Sequence, residues 1–379
     1  MKVLIISVPL GNGHTACAKA IKNHFDTIDV ECKILDMYEH IDPMLKAFIE
    51  KAYYYTMKSA MAVRNLASEI YYINEQSEPE SHIFSSLQNE LLSSGLYKYL
   101  LDYAPDIIIC TQVYAAQVIN DLKEDGKIHA VTCGVITDFT VQTYWEDTAH
   151  LDYIVTYSEM LNIQAAARGI SLKKILPFGI PIDDKFSTKT DKDKAREILG
   201  FDRKKFCVLI MSGGMGYGKI ADCVKKIDEN FADIQFAVVC GSNKTLYSDM
   251  DKLTTKNTMH LFGYSNEVDL LMDACDCIIT KPGGITISEA LAKQLPIIMY
   301  DPLPGMEENN VLFLNNMGCA IAAQRSFPVE LCLGILLYSK SRLKNLREAM
   351  VDISKPNATR DLCRFLMDKS ESFDVNHSN

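Results

Sequence analysis

The sequence contains no Cys-x-x-Cys pair, although it has 12 cysteines. Structural zinc sites generally take their ligands from such closely spaced pairs, so a zinc site is not expected. Several cysteines lie inside apolar runs, where a reduced thiol packs as a small hydrophobic group. We therefore predict a reducing, cytoplasmic environment and no bound metal.

Also absent is an apolar stretch of the roughly 18 to 20 residues that a helix needs to span a bilayer. The first residues, Met-Lys-Val-Leu-Ile-Ile-Ser-Val, have the pattern of a short strand rather than of a secretory signal. Any contact with a membrane is therefore expected to be peripheral.

Positive charge is scarce, because 39 Lys and Arg face 49 Asp and Glu and the formal net charge is -10. A sequence-independent nucleic-acid binder needs clustered cations to displace counterions from phosphates, so nucleic acid is not an expected partner. A hydrophobic content of 48% over 379 residues instead predicts a globular protein with room for two ordinary domains.

Short β-rich apolar runs alternate with segments of helical period, which is typical of parallel α/β sheets. The runs form two series of six. The first series is 2–8, 30–37, 106–111, 129–138, 153–158 and 173–178, and the second is 206–211, 234–240, 258–262, 277–280, 296–300 and 319–323. A stretch from Pro177 that is first rich in Gly and Pro and then charged separates the series and predicts an interdomain linker.

We therefore predict two doubly wound, Rossmann-like domains that face each other across a cleft. The first would comprise residues 1–182 and the second residues 183–350, with a helical tail at 351–379 that packs on either domain. Because open parallel sheets bind ligands beyond the carboxyl ends of their strands, the loops at those ends are the places to look for a site.

The strongest such loop is Lys281-Pro-Gly-Gly-Ile-Thr-Ile-Ser-Glu-Ala, which follows an apolar run and opens a predicted helix. Its glycines let the backbone approach a ligand, and the helix N-terminus attracts phosphate. Glu289 has the acceptors for two adjacent ribose hydroxyls. The alternative is a capping box of Thr286 and Glu289 without any ligand, and spacing alone does not decide between the two.

A second glycine loop, Ser212-Gly-Gly-Met-Gly-Tyr-Gly-Lys219, follows the run that ends at Met211. It is not a Walker motif, because Ile220 follows Gly218-Lys219 where Ser or Thr would be needed. An ordinary strand-to-helix turn is the alternative. Two glycine loops at strand ends of one domain nevertheless favour a shared ligand site.

The first strand of the chain ends in Pro9-Leu-Gly-Asn-Gly-His14, directly before a predicted helix. The dipole at a helix N-terminus disfavours the protonated form of a histidine, so His14 would stay neutral near pH 7 and could accept a proton. His14 is the candidate general base. Asp138 would orient it, although a turn-forming aspartate is an equally good interpretation of that residue.

Two further segments have polar or amphipathic patterns. The loop Tyr300-Asp-Pro-Leu-Pro-Gly-Met-Glu-Glu-Asn-Asn carries Glu307 and Asn310, whose side chains suit sugar hydroxyls, unless they simply face water. Residues 43–72 mix apolar and tyrosine side chains with four cations, which predicts either a helix at a membrane interface or an ordinary domain helix.

With these motifs assembled, the chain resembles the bacterial diacylglycerol glucosyltransferases and the plant monogalactosyldiacylglycerol synthases, relatives of the peptidoglycan N-acetylglucosaminyl transferase that have the GT-B fold. The likeness runs from residue 2 to about residue 350. It is most specific in Gly11-Asn-Gly-His-Thr-Ala, Pro177-Phe-Gly-Ile-Pro-Ile, Lys281-Pro-Gly-Gly-Ile-Thr-Ile-Ser-Glu-Ala and Pro304-Gly-Met-Glu-Glu-Asn-Asn.

The resemblance implies a UDP-sugar site and an acceptor site. His14 would sit at the acceptor, and residues 43–72 fall where the family approaches the bilayer. The implied nucleotide-sugar residues are Gly213, Gly214, Gly284, Ile285 and Thr286 at the diphosphate, Phe262, Gly263 and Tyr264 at the uracil, Glu289 at the ribose, and Glu307 and Asn310 at the sugar, with Lys281 and Gly283 in the same site.

Three positions depart from the family pattern. Asn12 stands where the family commonly has glycine, Gln142 where a histidine usually precedes Trp145, and Met306 where a glutamine follows Pro-Gly. Asn tolerates positive φ, so the first change is compatible with the loop. Met306 removes a sugar contact. Together the departures mean that the resemblance identifies neither the donated sugar nor the acceptor, while the nucleotide half of the site keeps the family pattern.

The expected function is inverting, metal-independent transfer of a hexose from a UDP-sugar, with no further cofactor, to a lipid hydroxyl such as that of diacylglycerol. The enzyme would work at the cytoplasmic face of the cell membrane. Three alternatives stay open at this point: a transferase that uses a soluble natural-product acceptor, a nucleotide-sugar binding protein without turnover, and an epimerase of the same two-domain shape.

Overall fold

The computed structural model describes residues 1–8, 12–40, 68, 69, 71, 95–216 and 218–377. These residues form two parallel sheets of six strands each with flanking helices, which confirms the predicted α/β class and its twelve strands. No helix in this described part is both long enough and apolar enough to cross a bilayer. The predicted amphipathic helix within 43–72 lies outside the described residues, except for 68, 69 and 71.

The first sheet has the spatial order β2-β1-β3-β4-β5-β6. Its strands are β1 Lys2–Ser7, β2 Glu31–Asp36, β3 Ile107–Cys110, β4 Val131–Val135, β5 Tyr153–Val155 and β6 Ile175–Leu176. Its helices are α1 Asn12–Thr27, α2 at 95–103, α3 Val113–Glu124 and α4 Asn162–Ala167. The apolar residues of β1 and β3 are fully buried, as expected for parallel strands covered by helices on both faces.

The second sheet has the order β12-β11-β10-β7-β8-β9. Its strands are β7 Phe206–Met211, β8 Ile234–Val239, β9 Thr258–Phe262, β10 Cys277–Thr280, β11 Ile297–Met299 and β12 Ala320–Ala322. Its helices are α5 Lys192–Leu199, α6 Ile220–Asn230, α7 Lys244–Asp251, α8 Val268–Ala274, α9 Gly284–Lys293, α10 Met306–Asn316, α11 Val329–Tyr338 and α12 Lys340–Ile353. One core joins the strands to α6, α11 and α12 through side chains such as Phe236, Val224 and Leu333.

The chain divides into two compact units, residues 1–184 with 357–379 and residues 185–356. The last helix, α13 Ala358–His377, belongs to the first unit and packs against α1. The ring of Phe365 lies edge-on to that of Tyr153, with centroids 4.9 Å apart, and Thr359 Oγ1 donates to Ile182 O at 2.5 Å. The tail therefore completes the unit in which the chain begins.

In both sheets the strand order changes direction once, although all strands are parallel. This switch point determines which strand-end loops lie next to each other. In the first sheet β1 lies between β2 and β3, and in the second β7 lies between β8 and β10. The chain therefore winds outward from β1 or β7 on one side and then on the other. A crevice forms at the carboxyl ends of the strands where the winding switches, that is between β1 and β3 and between β7 and β10.

Candidate active site

The two predicted donor loops leave adjacent strands at the switch point of the second sheet. The glycine loop follows β7, the segment from Lys281 follows β10, and these strands pair directly, with Ile279 opposite Ile210. The Lys281 side chain comes close to the glycine loop at Gly213, where an added Cβ would be 3.6 Å from Lys281 Cε. Residues some 70 positions apart in sequence are thus brought into one site.

Helix α9 begins inside the second loop. Its N-cap is Gly283, with φ -72° and ψ 138°, and no side chain caps the helix there. Thr286 is the third helical residue and not the N-cap, so the capping-box interpretation of Thr286 and Glu289 is wrong. The amides of the first turn, at Gly284, Ile285 and Thr286, point out of the helix end as the donors that an anion needs.

An ion pair between a partly exposed lysine and a buried carboxylate fixes the Lys281 loop to the start of α10. Lys281 Nζ lies 2.7 Å from Glu307 Oε1, and Glu307 Oε2 accepts from the amide of Leu303 at 2.7 Å. Asn310, which is fully buried, donates from Nδ2 to Pro282 O at 3.0 Å. Glu307 and Asn310 therefore both hold the Pro-Gly-Gly turn in place from the first turns of α10.

The glycine loop after β7 packs against the turn after β8. Gly214 O accepts from the amide of Ser242 at 2.9 Å, and Gly216 has a φ of +59°. A Cβ on Gly216 would lie 2.0 Å from Cys240 O, and a Cβ on Gly241 would lie 2.3 Å from Gly214 O. Only glycine fits at these two positions, because both the backbone conformation and the neighbouring backbone exclude a side chain.

The remaining predicted donor residues lie on the same edge of the sheet. Phe262 is the last residue of β9 and Gly263 follows it. Tyr264 is 65% exposed, so its ring lies at the carboxyl edge of the sheet and is not part of the core. Glu289 lies in the second turn of α9 and is half-buried. Three strands, β7, β9 and β10, therefore deliver predicted residues at their carboxyl ends.

His14 lies at the switch point of the first sheet. It is the third residue of α1, and its Nδ1 is 2.6 Å from Thr111 O, directly after β3, and 3.2 Å from Thr137 Oγ1, beyond β4. A backbone carbonyl only accepts, so the proton is on Nδ1 and the lone pair of the neutral ring is on Nε2. The Gly-x-Gly loop preceding His14 is described from Asn12 onward.

The surroundings of His14 keep it uncharged. Burial lowers the pKa of His14 below its ordinary value, and the hydrogen bond to Thr111 O opposes this shift only in part. The imidazole is therefore neutral at pH 7, as a general base must be before it takes a proton.

Asp138, predicted to orient His14, lies three residues after the end of β4. Its Oδ2 accepts from Gln142 Nε2 at 2.9 Å. The contacts that hold Nδ1 of His14 come from Thr111 and Thr137. A role of Asp138 at His14 stays a prediction, and the structure identifies the Thr111 carbonyl as an orienting group.

Comparison with known proteins identifies the family. Residues 14–182 match the family model of monogalactosyldiacylglycerol (MGDG) synthase, and residues 207–361 match the glycosyltransferase family 28 C-terminal domain. A processive diacylglycerol β-glucosyltransferase of Bacillus cereus (strain AH187) is 30% identical over 361 residues, which cover 94% of this chain and 90% of that protein. The chain belongs to this glycosyltransferase family.

Solved structures agree with this family in fold. MurG of Acinetobacter baumannii has a TM-score of 0.60 at 12% identity and covers 97% of this chain and 99% of its own. Anabaena HepE, solved in complex with UDP, has a TM-score of 0.56 at 12% identity, with 97% and 100% covered. The glycosyltransferase therefore has the predicted GT-B fold.

Two of the departures from the family pattern have visible consequences in this glycosyltransferase. Gln142 occupies its position by bonding Asp138, and Met306 is the first residue of α10 with 40% of its surface exposed. Thr111, Thr137 and Ser242 were not predicted as site residues. The positions of the first two could have been found, because Thr111 directly follows β3, which neighbours β1, and Thr137 lies near the end of the apolar run of β4, which neighbours β3.

Proposed function

We propose that this glycosyltransferase transfers a hexose from a UDP-sugar to a hydroxyl of diacylglycerol, with inversion at the anomeric carbon. The observation that carries the proposal is the N-terminus of α9, which has no side-chain cap and begins inside one of the two glycine loops at the β7/β10 switch point. Its amides and dipole are suited to the diphosphate, and the lipid acceptor is the one named for the Bacillus relative.

The donor half of the reaction would depend on the second unit. Amides of Gly284 to Thr286 and of the Gly213-Gly214 turn would receive the charge that develops on the diphosphate as the glycosidic bond breaks, so no metal ion is required in this proposal. Glu289 would bind the ribose hydroxyls, and Tyr264 would lie at the uracil. Glu307 and Asn310 would set the edge of the sugar site by holding the Pro282 turn.

The acceptor half would depend on His14. Its Nε2 would take the proton of the acceptor hydroxyl while that oxygen attacks the anomeric carbon from the face opposite UDP. The Thr111 carbonyl holds Nδ1 and so keeps the required tautomer. The positive charge formed on the ring would be stabilised by the same carbonyl, which is a better partner for imidazolium than for imidazole.

The decisive experiment is incubation with a panel of UDP-sugars and diacylglycerol vesicles, followed by mass measurement of the lipid. We expect a mass increase of one or more hexose units with one UDP released for each. Release of UDP with a soluble acceptor only would replace the lipid assignment, and conversion of a UDP-sugar without any acceptor would indicate an epimerase. Tight binding of a UDP-sugar without turnover in any of these assays would indicate that the protein binds nucleotide sugars without catalysing transfer.

The metal-independence is tested in the same assay with EDTA. Activity that is unchanged after chelation supports stabilisation by amides, whereas loss that Mg²⁺ or Mn²⁺ restores contradicts it. Matched variants test the base: His14→Ala should reduce kcat by about 10²- to 10⁴-fold. His150→Ala, which alters a half-exposed histidine paired with Glu124 in the same unit, should not.

A further inference from the structure

A second pocket lies in the unit of residues 185–356, at the edge of its sheet opposite the donor loops. It has a volume of about 250 Å³ and is lined by residues that directly precede β10 and β11, such as Cys275 and Leu295. Because the donor loops leave the carboxyl ends of these strands, the pocket is separate from the proposed donor site. Helix α9 runs from one to the other, beginning at Gly284 and ending at Lys293.

The lining of this pocket is strongly cationic in a chain whose net charge is negative. Four cations and one carboxylate surround it: Lys189, Lys192, Lys293, Arg347 and Asp273. Lys293 is buried and paired with Asp273 at 2.7 Å, and Lys192 is paired with Asp276. Asp276 is shared, because it also pairs with the buried Arg196 at 2.7 Å, so no carboxylate of these pairs is left for the other two cations.

The other two cations of the pocket have no paired carboxylate. The charged groups of Lys189 and Arg347, both exposed, have no hydrogen bond or ion pair with any residue in the described part of the chain. Partial desolvation of its ammonium group in the pocket and the charges of Lys293 and Arg347 lower the pKa of Lys189, with Asp273 opposing, so the cations repel one another. The pocket thus has at least two units of positive charge without a paired carboxylate.

We propose that this pocket binds a phosphate-bearing anion, with Lys189 and Arg347 as its charged ligands. A phosphomonoester carries about -1.5 to -2 charges near pH 7, which matches the two unpaired cations. An arginine fork and a lysine ammonium are the side chains that bind phosphate oxygens most often. Thr190 and Gln294 add polar groups, and Met272 and Leu295 supply an apolar wall for a short organic group.

The volume limits the ligand. Pockets for drug-sized molecules occupy roughly 300–1,000 Å³, so this smaller one suits a phosphate with a few attached atoms better than a nucleoside diphosphate. The phosphate could belong to a small soluble ester or to a lipid headgroup. Both sources present the same oxygens to Lys189 and Arg347.

Calorimetric titration of the full chain with inorganic phosphate and with glycerol 3-phosphate tests the soluble source. Cosedimentation with phosphatidylcholine vesicles, with and without phosphatidic acid, tests the lipid source. We expect binding in at least one arm, weakened about tenfold or more by Lys189→Met and by Arg347→Met, since charge-assisted hydrogen bonds are lost. Lys189→Arg should retain binding, and Lys252→Met, at an exposed lysine outside the pocket, should not alter it.

The arms separate the outcomes. Weakened binding of the soluble anions assigns a soluble ester, and weakened vesicle binding alone assigns a lipid headgroup. Absence of binding in every arm overturns the proposal. So does phosphate binding that persists in both pocket variants and disappears in Lys281→Met, because the anion would then occupy the donor loop. Since Lys189 and Arg347 are exposed and unpaired, their variants should fold, which circular dichroism checks.

Discussion

Lys281 Nζ lies 2.7 Å from Oε1 of Glu307, a carboxylate that is almost fully buried and whose other oxygen accepts the Leu303 amide. One side chain thereby ties the loop after β10 to the loop after β11. Replacing only one partner of such a pair is strongly destabilising, because the other partner is then left buried without a counter-charge.

A double-mutant cycle on this pair should therefore give a clear coupling. Lys281→Met is expected to lower the free energy of unfolding by about 1–3 kcal/mol, since Glu307 loses its cation. Addition of Glu307→Gln should recover part of that loss, with a coupling energy of at least about 0.5 kcal/mol. Urea unfolding followed by circular dichroism measures it, and additive single effects would contradict a structural role of the pair.

The glycine loop offers a second test with an internal control. Gly216→Ala places a methyl group 2.0 Å from Cys240 O, whereas a Cβ at Gly126, at a similar φ of +68°, meets nothing within 4 Å. Gly126→Ala should cost only the conformational strain, about 1–2 kcal/mol. Gly216→Ala should cost more and also weaken UDP binding at least about tenfold, because the loop must shift. Equal effects in both variants would contradict the close packing.

Most of the fold could be predicted from the sequence, because each buried parallel strand is a continuous apolar run. All twelve runs became strands, but the run at 129–138 ends as β4 at Val135. Ile136 still donates to Val155 O of β5 at 3.0 Å, and the next residue, Thr137, turns to His14. The apolar pattern does not distinguish a strand from the buried loop that continues it.

The sequence predicted which residues form the candidate site, but not the contacts that these residues make. Glycines at strand ends indicated where a ligand would lie, yet Thr286-x-x-Glu289 has the same spacing as a capping box, and only the observed helix start at Gly284 excludes it. The bond from His14 to Thr111 O involves a backbone atom, so no residue type signals it. Asn310 was expected at the sugar, and its bond to Pro282 O shows a further reason for an amide there.

The pH profile of catalysis should report His14. Burial lowers its pKa, so the ring is neutral above that value, and protonation at lower pH removes the base. We expect kcat/KM to fall on the acid side with a midpoint below the ordinary histidine value of about 6.5. The same limb should be absent from the residual activity of His14→Ala. A midpoint above 6.5, or a limb that persists in the variant, would assign the titration to another group.

The stability of the first unit should depend on the same group. A histidine whose pKa is depressed by folding stabilises the protein above its unfolded pKa, and this contribution is lost as the pH falls through the folded pKa. His14→Ala should therefore be less sensitive to acid than the unmodified chain when unfolding is followed by the single tryptophan, Trp145, which is buried in this unit. Parallel acid curves for the two proteins would show that His14 is solvated when charged.

The ribose contact is testable with a ligand that lacks one hydroxyl. Glu289 lies in the second turn of α9, five residues beyond the first amide proposed for the diphosphate, which is a suitable offset for the sugar of the same nucleotide. The unmodified chain should bind UDP about tenfold more tightly than 2′-deoxy-UDP, since the hydrogen bond to a carboxylate is worth roughly 1.5–3 kcal/mol. Glu289→Ala should bind the two ligands equally, because the carboxylate that distinguishes them is gone. The control variant Glu308→Ala, on α10, should keep the preference for UDP. If Glu289→Ala still discriminates between the two ligands, another residue must bind the ribose. Helix α9 would then contact only the phosphates.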